Sequence, residues 1–142
     1  MFTHSAYNDF EVLKSQLLGD ASQTTERLVS YAMFFVPQPG RVSLSEQQAK
    51  EAGKTFRVAT YDMKKNGRAR KLGAREGFIK VIVDTDSSKI PGATVLTAEG
   101  AELVHVYIAL MNAGATYTVL DEALRIYSAL SKAVKSVVKG FS

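Results

Sequence analysis

The sequence predicts a domain that mixes helices and strands, and three observations carry that prediction. A pair of alternating apolar segments faces each other across a polar turn in the middle of the chain. A nearly all-apolar helical segment follows directly, and both ends of the chain show apolar residues at helical spacing. The length of 142 residues and the mass of 15.5 kDa fit one domain of ordinary size.

The elements follow in order. Ser5 to Leu18 places Ala6, Phe10, Leu13, Leu17 and Leu18 at helical spacing, with Gly19 after the last of them. Asp20 to Thr25 is small and polar and reads as a loop. Tyr31 to Val36 is a compact aromatic and apolar run stopped by Pro37-Gln38-Pro39-Gly40, the pattern of a buried strand. Ser45 before Glu46-Gln47-Gln48 is an N-cap signature, for a helix ending at Gly53. Phe56, Val58 and Thr60 alternate as a strand running to about Met63. A hairpin is predicted from Gly77 to Leu96, turning over Asp84 to Ser88, and Pro91 argues for an edge position or a bulge on its return. Ala101 to Asn112 is apolar around most of its circumference, a buried helix ending at Gly114. Leu120, Leu124, Tyr127, Leu130, Val134, Val137 and Phe141 then recur at spacings of three and four. Neither proline nor glycine interrupts from Val119 to Lys139, so one helix of about twenty residues is expected, its apolar face being core or a seam against a second chain.

Composition excludes several function classes. Hydrophobic residues make up 46% and charged residues 23%, which argues against disorder, and no apolar run approaches the ~18 residues of a membrane helix. The chain has no cysteine, so thiolate nucleophiles, redox pairs and thiolate metal sites are excluded, and two histidines make a histidine metal site improbable. No charged-then-apolar leader opens the chain, and a cytoplasmic location is expected. The ten glycines form neither G-x-G-x-x-G nor G-x-x-x-x-G-K-[ST], which argues against a self-contained nucleotide fold. The formal net charge is +4. Lys64, Lys65, Arg68, Arg70, Lys71 and Arg75 put six cations within twelve residues, but no aromatic is interleaved to stack bases. A solvated connection is the expected role of that stretch. His105, one turn after Glu102, could be a carboxylate-held base; a histidine satisfied at the core edge is the expected reading. From the residues alone this is a binding or assembly module.

Taken in order, the segments resemble the C-terminal dimerisation domain of the FAD-dependent pyridine nucleotide–disulfide oxidoreductases, toward the mercuric-reductase-like and dihydrolipoamide-dehydrogenase-like branches. Phe2-Thr3-His4-Ser5-Ala6-Tyr7 resembles the end of the flavin domain. FFVPQPGRVSLSE (34–46) is similar to F-x-D-P-x-x-x-x-V-G-L-[ST]-E, and Asn66-Gly67-Arg68-Ala69 to the N-G-R-A turn. GFIKVIVDTDSSKIPGA (77–93) resembles the family hairpin, and Gly100–His105 and Met111–Thr118 resemble its two following helices. The resemblance implies an α+β fold, an antiparallel sheet with helices on one face, preceded by one extra N-terminal helix. It divides the chain into residues 1–30, a helix and linker from the end of a flavin domain, and 31–142, the dimerisation domain. It also implies that Thr3, His4 and Ala6 touch flavin only if a flavin domain is present, so that FAD and NAD(P)H belong to the parent family and no cofactor is expected in this chain.

The departures set the functional expectation. The family's closing signature H-x-H-P-T-x-x-E, whose second histidine and glutamate form a catalytic dyad, falls on Arg125 to Lys132. Tyr127 stands at the histidine, Ser128 at the proline and Lys132 at the glutamate. A phenol titrating near ~10 is a poor acid–base group at neutral pH, and lysine cannot orient an imidazole as a carboxylate does. Val36 stands at an aspartate position, Ser43 and Thr97 at glycine positions, and Pro91 at a leucine. Loss of the proline also agrees with an unbroken last helix. The expected function is a detached, non-catalytic dimerisation domain, engineered, reconstructed or drifted, pairing through Leu120, Leu124, Tyr127, Leu130, Val134, Val137 and Phe141. The alternatives are a stable monomer without ligand, an accessory part of a flavin enzyme acting in trans, and nucleic-acid binding through 64–75. No membrane partner and no small-molecule substrate are expected.

Overall fold

The computed structural model describes residues 3–19 and 22–141, so Phe2 of the flavin-side motif and Asp20 of the first loop lie outside the described residues. Helix α1 spans Thr3–Leu17. Strands β1 (Ser30–Ala32) and β2 (Gln38–Ser43) form a hairpin, and α2 (Glu46–Glu51) leads to β3 (Phe56–Asp62). A 3-10 turn at Met63–Lys65 and α3 (Gly67–Lys71) precede β4 (Phe78–Asp84) and β5 (Gly92–Thr97). Helices α4 (Gly100–Asn112), α5 (Thr118–Glu122) and α6 (Lys132–Val138) close the chain, with a last 3-10 turn at Lys139–Phe141.

The five strands make one antiparallel sheet in the order β1-β2-β5-β4-β3. Because side chains alternate along a strand, Val42, Ala93, Val95, Ile79, Val81, Val83 and Ala59 all point to one face. There they form the core with Leu103, Val104, Tyr107 and Leu110 of α4 and with Ala133, Val134, Val137 and Val138 of α6. Lys80 and Arg41 point the other way. They tie the α2 crossover to the opposite face, through Lys80 to Glu46 (3.4 Å) and Arg41 to Gln48 (2.7 Å). Ser45 caps α2 in a reciprocal capping box with Gln48, and Gly53 follows at a φ of 65°, as the sequence predicts.

Four expectations are corrected. The run Tyr31 to Val36 is not a buried strand: β1 ends at Ala32, and Phe34 and Val36 are 82% and 96% exposed at the tip of a hairpin loop. The buried strand comes instead from Gln38 to Ser43, where Gly40 and Val42 turn inward and the Pro39 carbonyl accepts from the Met33 N–H. Pro91 does not mark an edge. It precedes β5, which is the central strand, and uses only its carbonyl, accepting from the Leu44 N–H (3.1 Å).

The helix expected over 119–139 is two helices. Its chain turns extended at Ala123 (φ −60°, ψ 135°) and resumes helical form at Lys132, without proline or glycine. Distant partners hold the break: Lys135 Nζ donates to the Ala123 carbonyl (3.1 Å) and Asn66 Nδ2 to that of Leu130 (3.4 Å). Finally, α1 forms as predicted but buries Val12 and Ser15, leaving Phe10, Leu13, Leu17 and Leu18 exposed together with Tyr7.

Candidate functional site

The break in the last helix divides the expected pairing seam. Leu120, Val134, Val137 and Phe141 are buried in the chain's own core, and Leu130 packs half-buried against it. Leu124 and Tyr127 face outward at 96% and 81% exposure, joined by Ile126 at 80%, a residue that helical spacing did not single out. Its signal was hidden because helical periodicity assigns it to a polar face, whereas the extended loop turns it outward.

Tyr127 and Lys132 are brought together, with Lys132 Nζ lying 4.9 Å from the centre of the Tyr127 ring. That cation–π contact places an ammonium and a phenol at the two dyad positions. The peptide between Tyr127 and Ser128 is cis. Beside them, Asn66 is 2% exposed and holds the start of α3. Its Oδ1 accepts from the Arg68 and Ala69 N–H groups, both at 3.0 Å, while its amide reaches the Leu130 carbonyl. The basic stretch is therefore not a loose connection but a 3-10 turn and a short helix locked onto the 124–131 loop.

A concavity of about 520 Å³ lies between the start of α1, β1 and α4. Thr3, His4, Glu102 and His105 line it. His4 Nε2 donates to the Ser30 carbonyl and His105 Nδ1 to that of Ala101, both at 2.9 Å. His105 is thus oriented by its own helix and not by Glu102, and it sits exposed on α4. Among the described residues no group of three histidine, aspartate or glutamate side chains could hold a metal ion. No helix among them is long and apolar enough to cross a membrane.

The strand-to-helix turn of a parallel βαβ unit, which cradles a dinucleotide pyrophosphate in doubly wound folds, is not found among the described residues, where every strand pairing is antiparallel. Thr3 and His4, exposed at the start of α1, and half-buried Ala6 offer no more than one edge of such a site.

Comparison with known proteins agrees with this geometry. Residues 29–138 match the family described as pyridine nucleotide-disulphide oxidoreductase, dimerisation domain. The chain is 28% identical over 138 residues to the probable pyridine nucleotide-disulfide oxidoreductase RclA of Escherichia coli, covering 96% of this chain and 31% of that protein. It is 29% identical over 140 residues to the dihydrolipoyl dehydrogenase of Rhizobium etli, covering 97% and 29%. The solved structure of the HOCl-induced flavoprotein disulfide reductase RclA from Escherichia coli superposes with a TM-score of 0.91 at 27% identity, over 98% of this chain and 32% of that one. LpdA from Mycobacterium tuberculosis shares the fold at a TM-score of 0.84 and 20% identity, over 92% of this chain and 29% of that one. The chain spans less than a third of the length of these relatives. Over that length it carries their antiparallel sheet and helices, and it belongs to the dimerisation-domain family of the pyridine nucleotide-disulphide oxidoreductases.

Proposed function

We propose that the chain is an assembly domain that pairs with a second copy of itself and does not carry out redox chemistry on its own. Residues 1–30 are the helix and linker that would lead out of a flavin domain, and 31–142 are the pairing domain. One observation carries the reading: the loop after α5 presents Leu124, Ile126 and Tyr127 to solvent while its backbone is pinned from behind by Lys135 and Asn66. An exposed apolar segment held in one conformation is costly unless it is covered, and a rigid patch pays little ordering entropy on association. The seam inferred from sequence narrows accordingly, with Leu130 at its margin and the four buried residues reassigned to core. The replacement of the family's histidine by Tyr127 and of its glutamate by Lys132 supports a non-catalytic role, and the cytoplasm is the expected compartment.

The test is the molar mass by light scattering across a hundredfold range of concentration. A dimer near 31 kDa, twice 15.5 kDa, is expected, falling to the monomer in Leu124→Asp/Ile126→Asp with the circular dichroism unchanged. A constant 15.5 kDa throughout would overturn the reading and leave a free-standing monomer. A second reading, action in trans with separate flavin and nicotinamide domains, is favoured by the exposed stripe of Tyr7, Phe10, Leu13 and Leu17 on α1. It requires that adding the chain to a reductase lacking this domain restores turnover.

A further inference from the structure

Where α3 meets the 124–131 loop, the surface closes a concavity of about 130 Å³ whose rim is cationic. Lys65, Arg68 and Arg70 come from one segment and Lys132 from the start of α6. Asn66 joins the two rims, capping α3 with its Oδ1 and donating to the Leu130 carbonyl with its amide. Tyr127 forms one wall and holds Lys132 over its ring. No carboxylate lines this concavity, and none of the four cations is within salt-bridge distance of one among the described residues.

Four like charges around the rim of one small concavity repel one another, an effect that solvent screens in part because all four side chains are exposed. An anion placed there offsets that repulsion. Guanidinium forks suit the oxygens of a phosphate or carboxylate, and ammonium groups add point charge. The volume decides the size of the guest. It has room for one oxyanion head group, whereas a nucleic-acid strand needs an extended groove.

We propose that this concavity is a binding site for a single oxyanion head group, a phosphate or carboxylate carried by a small molecule, with Arg68, Arg70, Lys65 and Lys132 as its donors. All four donors belong to one chain, but Tyr127 is shared with the proposed pairing patch, so the titration is run on the Leu124→Asp/Ile126→Asp monomer as well, which separates failure of the site from failure of the dimer.

The test is calorimetric titration of the 142-residue chain with inorganic phosphate, and separately with acetate, at an ionic strength held constant with chloride. Saturable one-to-one binding of either anion is expected, the stronger of the two naming the head group. Arg68→Gln/Lys132→Gln should weaken it by about tenfold or more, and Lys139→Gln, an exposed cation away from the concavity, should leave it unchanged. All three residues are exposed, so the variants should keep the fold, checked by circular dichroism. Binding that does not saturate, or that is equal in the double variant, overturns the proposal. So does binding seen only with a single-stranded oligonucleotide, which would instead make the basic stretch a backbone-tracking surface.

Discussion

Ser43 ends β2 at a φ of 55°, a left-handed conformation that costs a non-glycine residue about 1–2 kcal/mol. Glycine adopts it freely but loses about 0.5–1 kcal/mol more backbone entropy on folding. The difference favours glycine, so Ser43→Gly should stabilise the fold by up to about 1 kcal/mol, read as a higher urea midpoint at unchanged slope. Tyr107 is fully buried, and its hydroxyl has no hydrogen-bond partner among the described residues. Burial pushes its phenol well above the usual tyrosine range, against the opposing positive charge of Arg125. The folded protein therefore keeps this proton while the unfolded chain releases it near ~10, so stability falls as pH rises above that value. Tyr107→Phe removes an unsatisfied donor and should stabilise by about 1 kcal/mol at neutral pH. It should also flatten the decline in the urea midpoint between pH 9 and pH 11; an equal decline in both proteins would show that Tyr107 is not its source.

Among the elements, α4 illustrates how closely helix and sheet approach. A Cβ built on Gly100 would lie 2.0 Å from the Gln38 carbonyl oxygen, a backbone atom of β2 that cannot swing aside. Gly100→Ala should therefore destabilise by about 2–3 kcal/mol, checked by thermal unfolding. Helix α4, the β4–β5 pair and the capped α2 were legible in sequence because their signals are local. Alternation, a capping box and a terminal glycine need no knowledge of the rest of the chain. The β1–β2 hairpin was not legible, since the aromatic run at 33–36 carries the composition of a core strand while the hairpin puts it at the tip. The break between α5 and α6 was hidden for a related reason. A helical pattern is a weak preference, and here Lys135 and Asn66, one of them far away in sequence, satisfy the carbonyls that an extended loop leaves open. The candidate site was legible only in parts: the cations at 65–70 and the pair Tyr127 and Lys132 were visible, but not that they share one concavity.

At the scale of the whole molecule, one face of the sheet carries the core, and among the described residues apolar surfaces stay uncovered on α1, on the 33–36 loop and on the 124–127 loop. Relatives more than three times as long have further chain with which to cover such surfaces. The strand order also sets a timetable for folding. β4 lies between β3 and β5, its own neighbours in sequence, whereas β2 ends at Ser43 and must find a partner that begins only at Gly92. Closing that long loop is the slow entropic step, and it gains nothing until β5 is in place. In pulse-labelled refolding, amides of Val81 and Val83 on β4 should gain protection before that of Val42 on β2. A chain emerging from the ribosome would meet the same constraint, the β1–β2 hairpin waiting as an unpaired edge until β5 has been made.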